Sequence, residues 1–385
     1  MHSDIAIIGG GIVGLATAWT LLQGDDEPDV RILEKEAAPA THQSAHNSGV
    51  LHAGLQYAPG SAKARLARDG IRRMTEFCRA YGIRHEICGK LVVATEPDEL
   101  PRLDALLERG RQNGLQGLRR LEPAQAREIE PNVRCLAAIH VPEEGIVDFD
   151  AVCRTLDREV RARGGDVRTR ARVRAIRHEP GGWRITTDAG DFSARILINC
   201  AGLHTDRVAR LAGERPDCRI LPFRGEYHRL RPGREHLVRN LIYPLPPPGF
   251  PFLGVHFTRR IDGGIDAGPN AVLAFAREGY SLTSLNPRDL AEALAFSGLR
   301  RFVLRHRRMV ASELARSFSR HRFADALRRL VPDVRDDDLV RGGAGVRAQA
   351  VLPSGEFVHD FLWIERPDAL HVLNAPSPAA TAALA

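Results

Sequence analysis

Asp4-Ile5-Ala6-Ile7-Ile8-Gly9-Gly10-Gly11-Ile12-Val13-Gly14 is the stretch that decides the fold. Residues 4–8 are an apolar run of the kind that forms a buried parallel strand, and Ile12–Gln23 follows as a helix with Ala16 and Ala18 on its packing side. Asp29–Leu33 reads as a second strand ending at Glu34. A strand–turn–helix–strand unit of about thirty residues starts a doubly wound, Rossmann-like sheet. In the turn, Gly9 permits the tight bend, Gly11 lets the backbone approach a pyrophosphate, and Gly14 lets helix and strand pack closely. The helix N-terminus offers free N–H groups and a partial positive charge to the phosphates. Glu34, twenty residues beyond Gly14, is placed to accept hydrogen bonds from an adenosine ribose.

A chain of 385 residues can bury a large core and divides more naturally into two domains than one. Its 43% hydrophobic and 27% charged residues are ordinary for a globular protein, and no apolar stretch reaches 18 residues. Met1-His2-Ser3-Asp4 leads straight into the first strand without signal-peptide features, so a cytoplasmic location is expected. Cys78, Cys88, Cys135, Cys153, Cys200 and Cys218 are scattered, with neither CxxC pairs nor His-rich neighbours, and no metal site is expected. Net charge is +7, carried by three lysines and 52 arginines spread along the chain. No block of five like charges occurs, and that dispersal argues against a nucleic-acid-binding surface.

Beyond the opening unit the pattern changes. Ser61–Tyr81 is helical, Gly89–Thr95 a strand, Asp98–Asn113 an amphipathic helix, and Asp148 or Asp150 can cap a helix running to Arg163. A strand-rich block follows, comprising Asp166–Arg168, Val173–His178, Trp183–Thr187 and Arg195–Cys200. Residues 216–285 read as antiparallel sheet, including Glu226–Leu230 and Phe252–Thr258. Residues 288–330 are helical, and strands return at Phe361–Ile364 and His371–Leu373. The expected architecture is mixed α/β and α+β. A discontinuous Rossmann-like FAD-binding domain takes residues 1–85, 145–215 and 335–385, and an antiparallel-sheet substrate domain takes 86–144 and 216–334. FAD is preferred to NAD because regular βαβ units stop after Glu34. Distant small-residue segments near Gly202 and Asn374 also suit an extended cofactor.

The run His46-Asn47-Ser48-Gly49-Val50-Leu51-His52-Ala53-Gly54 resembles the L-2-hydroxyglutarate dehydrogenase/oxidase family of glycine-oxidase-like flavoproteins. So do Cys88–Ala94, Pro222–Tyr227, Phe250–Phe257, Gly268–Phe275, Ala344–Gln349 and Asn374–Thr381, in family order along nearly the whole chain. Members of that family usually continue past the position of Ala385 to complete a C-terminal helix, so a truncated or short helix is expected here. The resemblance implies oxidation of L-2-hydroxyglutarate, a small dicarboxylate 2-hydroxy acid, to 2-oxoglutarate by hydride transfer to flavin N5. Electrons then pass to a quinone or other membrane acceptor, or to dioxygen. Quinone reduction would bring peripheral association with the inner face of the cell membrane, which the positive charge would favour.

Alcohol oxidation needs a base for the hydroxyl proton and a clamp for the carboxylate. His52, after the segment expected beside the flavin, is the first choice of base, and His256 the second. Arg347 resembles the arginine that grips the substrate carboxylate in related amino-acid oxidases. Lys63, Arg259 and Arg224 compete for the second carboxylate. Tyr57 and Tyr243 read as hydrogen-bond donors or, more readily, as core aromatics. By the resemblance, Lys35 lies beside Glu34, Asn47 and Ser48 lie near the pyrophosphate or ring, and Val173 stacks by the adenine. Gly202 and the Asn374-Ala375-Pro376-Ser377 turn approach the ribityl chain and pyrimidine edge, with Asn374 as the main polar contact. The alternative activity is a glycine- or sarcosine-type amine oxidase. A dedicated base at His52 counts against it, because a neutral amine forms no alkoxide.

Overall fold

Ile7, Leu15 and Ile32 are fully buried where the first two strands meet the first helix, and the rest of the first layer grows from that contact. The computed structural model describes residues 2–246 and 253–385. Phe250, Pro251 and Phe252, quoted above, lie outside the described residues. The strand His2–Ile8 runs parallel to Val30–Leu33 on one side and to Gly190–Asn199 on the other. Asp166–Arg168 and Ala369–Asn374 extend this parallel core at its two edges. Antiparallel hairpin strands Val173–Glu179, Gly182–Thr187 and Leu362–Arg366 complete an eight-stranded sheet. Helices Ile12–Leu21 and Phe149–Ala162 cover one face. The second starts where the Asp148 carboxylate accepts the Ala151 N–H at 2.9 Å, satisfying one free amide of its first turn. Thr205–Leu211 covers the opposite face through Val208.

The second sheet has nine strands. It differs from the expected antiparallel sheet in one pairing, because Leu241–Pro244 lies parallel to Lys90–Ala94. It also draws on a segment assigned above to the first domain. Leu339–Val351 pairs along its length with Arg219–Leu230, so residues 339–351 belong to this sheet although they fall within 335–385. The helices Pro287–Ala295, Ser297–Arg305 and Arg307–Phe318 pack against it at Leu221 and Phe223. Residues 375–385 run as turns. They pack against the long helix Ala62–Ala80 at Gly70, where a Cβ would fall 2.5 Å from the Ala382 Cα.

A third, three-stranded sheet is small but positions the site. Val50–Leu51 pairs antiparallel with Gly145–Val147, and the register sets Leu51 opposite Gly145. The next residue on one strand is His52, and the preceding residue on the other is Glu144. Antiparallel pairing therefore brings them side by side.

Candidate active site

A cavity of about 1020 Å³ runs from the glycine turn to the second sheet, at the upper end of the ~300–1,000 Å³ typical of small-molecule sites. Its first end is built by backbone. Gly9 has φ +106°, and a Cβ there would fall 2.5 Å from the Cys200 carbonyl oxygen. A Cβ on Gly14 would fall 2.0 Å from the Gly9 carbonyl oxygen, so helix and strand close only with glycine at that position. Gly11 lines the cavity at the helix N-cap and brings no side-chain cap. The Ile12 N–H donates to Ser44 Oγ at 2.9 Å. Glu34 accepts from the Gly10 N–H at 2.7 Å and the Glu36 N–H at 2.8 Å, which fixes its carboxylate against the cavity wall. Amides at a helix N-terminus beside a buried carboxylate form the donor and acceptor set that a pyrophosphate and an adenosine ribose require. A flavin dinucleotide fits these residues.

Lys35, Ser48, Val173, Gly202, Ala375 and Ser377 also line the cavity. Lys35 Nζ sits 2.6 Å from Glu278 and 2.9 Å from His42 Nε2, and also contacts Glu36. Glu36, His42 and Glu278 cluster closely enough to suggest a metal site, but the Lys35 ammonium already supplies their positive charge. Asn47, another lining residue, shapes its own turn by donating to the Ser44 carbonyl at 2.6 Å and accepting from the Gly49 N–H at 2.9 Å.

Three expected contacts are corrected. Asn374 does not line the cavity. Its Oδ1 accepts from the Ala350 N–H, and its Nδ2 donates to the carbonyls of Val358 and Asp360. Its polar atoms are spent tying three backbone segments together. Arg259 is directed to an ion pair with Glu86 at 2.5 Å and also lies away from the cavity. The strand His256–Arg259 alternates faces, so His256 and Thr258 turn toward Tyr243 while Arg259 points to the other side. Arg224, the other rejected candidate, pairs with Glu226 at 3.2 Å within its strand.

The far end of the cavity gathers His52, Lys63, Tyr243, His256 and Arg347. Behind His52 is a feature absent from the sequence reading. Glu144, 1% exposed, places Oε2 at 3.4 Å from His52 Nδ1 and at 2.6 Å from Lys90 Nζ, and Oε1 accepts the Ala53 N–H at 3.3 Å. Burial alone would raise the Glu144 carboxyl, but Lys90 and His52 outweigh it and hold the pKa at about 2. A carboxylate ionised at neutral pH thus faces one imidazole nitrogen and leaves the other for chemistry. Thr381 Oγ1 steadies the backbone by accepting the His52 N–H at 3.2 Å.

His256 is different. Its Nδ1 lies 2.8 Å from the Gly254 carbonyl, which can only accept, so Nδ1 carries the proton. Its ring lies 3.9 Å from that of Tyr243. Burial pushes its pKa down to about 3, leaving it neutral and weakly basic. Burial likewise lowers Arg347, with Tyr227, Glu313 and Tyr243 as the neighbours that oppose the shift. Lys63 packs its Nζ 4.6 Å over the Tyr57 ring, and burial lowers it to about 8 against the opposing pull of Asp360.

Residues 4–385 match the model of the FAD dependent oxidoreductase family. The L-2-hydroxyglutarate dehydrogenase of Indibacter alkaliphilus is 47% identical over 385 residues, covering 100% of this chain and 96% of the relative. The L-2-hydroxyglutarate dehydrogenase of Escherichia coli K12 is 44% identical over 384 residues, covering 99% and 90%. Among solved structures, the FAD-bound L-alpha-glycerophosphate oxidase of Mycoplasma pneumoniae superposes with a TM-score of 0.81 at 21% identity, covering 100% of this chain and 92% of the other. The glycine oxidase of Geobacillus kaustophilus gives 0.75 at 18% identity, with the same coverage. These two likenesses speak for the fold.

Proposed function

The chain belongs to the FAD dependent oxidoreductase family, and from that premise we propose that it oxidises L-2-hydroxyglutarate to 2-oxoglutarate. Bound FAD supplies the hydride acceptor. The observation that favours a hydroxy acid over an amine is the buried His52–Glu144–Lys90 array. A secondary alcohol must surrender its hydroxyl proton as hydride leaves C2, whereas a neutral amine needs no such base. His52 takes that proton on Nε2, the nitrogen turned from Glu144. Glu144 holds the ring and stabilises the imidazolium, and Lys90 holds Glu144. Arg347 grips the carboxylate next to C2 with two parallel hydrogen bonds. Lys63 takes the distal carboxylate.

For the cofactor, Gly9, Gly11 and Gly14 shape the pyrophosphate cradle and Glu34 holds the ribose. Lys35, Asn47, Ser48, Val173, Gly202, Ala375 and Ser377 line the remainder. Electrons leave to a quinone or other membrane acceptor, or to dioxygen, with the protein peripherally associated at the membrane. None of the described helices is long and apolar enough to cross one.

Dye-linked turnover across substrates tests this assignment. L-2-hydroxyglutarate should far outrun L-lactate, glycine and sarcosine. The Lys63 ammonium is charged below about pH 8 and loses its proton above it. Hence kcat/KM for L-2-hydroxyglutarate should fall about ten-fold per pH unit above 8, while Lys63→Arg should remove that fall. A profile flat to alkaline pH would take Lys63 out of substrate binding, and preferential turnover of an amine would refute the substrate.

A further inference from the structure

Arginines are scattered along the chain, but their excess over acids is not. Between Ser297 and Arg322 stand eight arginines and a single acid, Glu313, a net +7 that equals the charge of the entire chain. Outside those residues, Lys and Arg balance Asp and Glu. The segment comprises the helices Ser297–Arg305 and Arg307–Phe318 and the start of Arg320–Arg328.

These helices have two unlike faces. Leu299 and Phe302 are buried against Leu221, Phe223 and Phe357, with Met309 and Val310 packed beside them. On the opposite side of its helix Leu304 is 74% exposed, and Leu314 at 42%, Val303 at 37% and, on the preceding helix, Leu294 at 54% are exposed as well. Arg300, Arg305, Arg307 and Arg308 are exposed on the same two helices. Among the described residues none of the four has an ion-pair partner, whereas Arg316 and Arg320 are paired with Glu313 and Asp337. Six of the eleven large apolar side chains exposed among the described residues fall between Phe275 and Leu314. Unpaired guanidinium groups around protruding leucines match a surface that is anionic outside and apolar beneath. The leucines would serve no purpose on a phosphate backbone alone.

We propose that the outer face of Ser297–Arg305 and Arg307–Phe318 docks the protein on an anionic lipid bilayer, with Leu304 at the deepest point. The face belongs to helices that pack on the same side of the sheet as the substrate clamp. Phe302 packs on Phe223, and Phe223 is the register partner of Arg347. Docking would therefore set the substrate end of the cavity near the bilayer, where a lipid-soluble acceptor resides. The inference rests on the reading of a membrane acceptor for its purpose, though not for its geometry.

The test is flotation of the FAD-loaded full chain with phosphatidylcholine vesicles made with and without phosphatidylglycerol. The protein should float with the anionic vesicles only and detach as salt is raised. Combining Arg300→Gln, Arg305→Gln and Arg308→Gln should weaken partitioning by about 100-fold, taking about five-fold for each arginine near an anionic surface. Leu304→Asp should also release the protein. Dye-linked turnover should be unchanged in both variants, which shows that they fold. Parent protein that ignores lipid charge, or variants that float like the parent, would overturn the proposal. So would binding to an oligonucleotide without binding to anionic vesicles. Turnover of L-2-hydroxyglutarate in solution reports separately on the substrate assignment.

Discussion

His52→Ala should lower kcat by about 10³-fold, within the ~10²–10⁴ range for losing a general base, and leave KM within a few-fold. The loss should appear in anaerobic stopped-flow as slower flavin reduction, because the proton leaves the hydroxyl in the same half-reaction. Glu144→Gln should give a smaller version of the same defect, since a neutral amide still positions the ring but no longer favours the imidazolium. It also strands the Lys90 ammonium, so thermal stability should fall by about 3–5 kcal/mol, the usual result of breaking a buried pair. Glu144 is ionised down to about pH 2 in the folded chain, against 4.5 for an ordinary glutamate. Its depressed pKa stabilises the fold above about pH 4.5, and that contribution is lost as pH falls toward 2. Glu144→Gln should therefore flatten this part of the acid-unfolding curve. Unchanged flavin reduction in His52→Ala would move the base to His256, whose neutrality and pKa of about 3 make it the weaker candidate.

Arg347→Ala should raise KM for L-2-hydroxyglutarate by about 10²–10⁴-fold, because truncating one partner of a buried charge pair leaves the other, the substrate carboxylate, unmatched at about 3–5 kcal/mol. The Kd of the product, 2-oxoglutarate, read from its perturbation of the flavin spectrum, should rise in parallel. Arg347→Lys should recover only part of the affinity, since an ammonium cannot reproduce the planar two-point contact. A KM within a few-fold of the parent in both variants would move the clamp elsewhere.

The contrast between the two ends of the cavity explains what could be read from sequence. Gly9, Gly11, Gly14 and Glu34 are close in the chain, and each obeys a local constraint of turn, cradle or packing. The pairing of His52 with Glu144 depends on a strand only two residues long, Val50–Leu51, which shows no alternation to detect. Leu339–Val351 spans thirteen residues, yet Gly342, Gly343 and Gly345 interrupt its pattern and hid it as a strand. Arg259 was within reach of simple reasoning, because period-two alternation from His256 already sends it to the opposite face. Asn374 was not, since the carbonyls that occupy its amide arrive from Val358 and Asp360 through tertiary packing. The basic helical face is masked by the even spread of arginines along the chain, and it stands out only through the scarcity of acids between Ser297 and Arg322.

The central claim, a flavin reduced by a hydroxy dicarboxylate, is tested most directly by anaerobic titration of the purified yellow protein with L-2-hydroxyglutarate. The expected result is bleaching of the oxidised flavin bands with one 2-oxoglutarate formed per flavin reduced, and no bleaching by glycine or sarcosine. A flavin left oxidised by L-2-hydroxyglutarate but bleached by either amine would contradict the account.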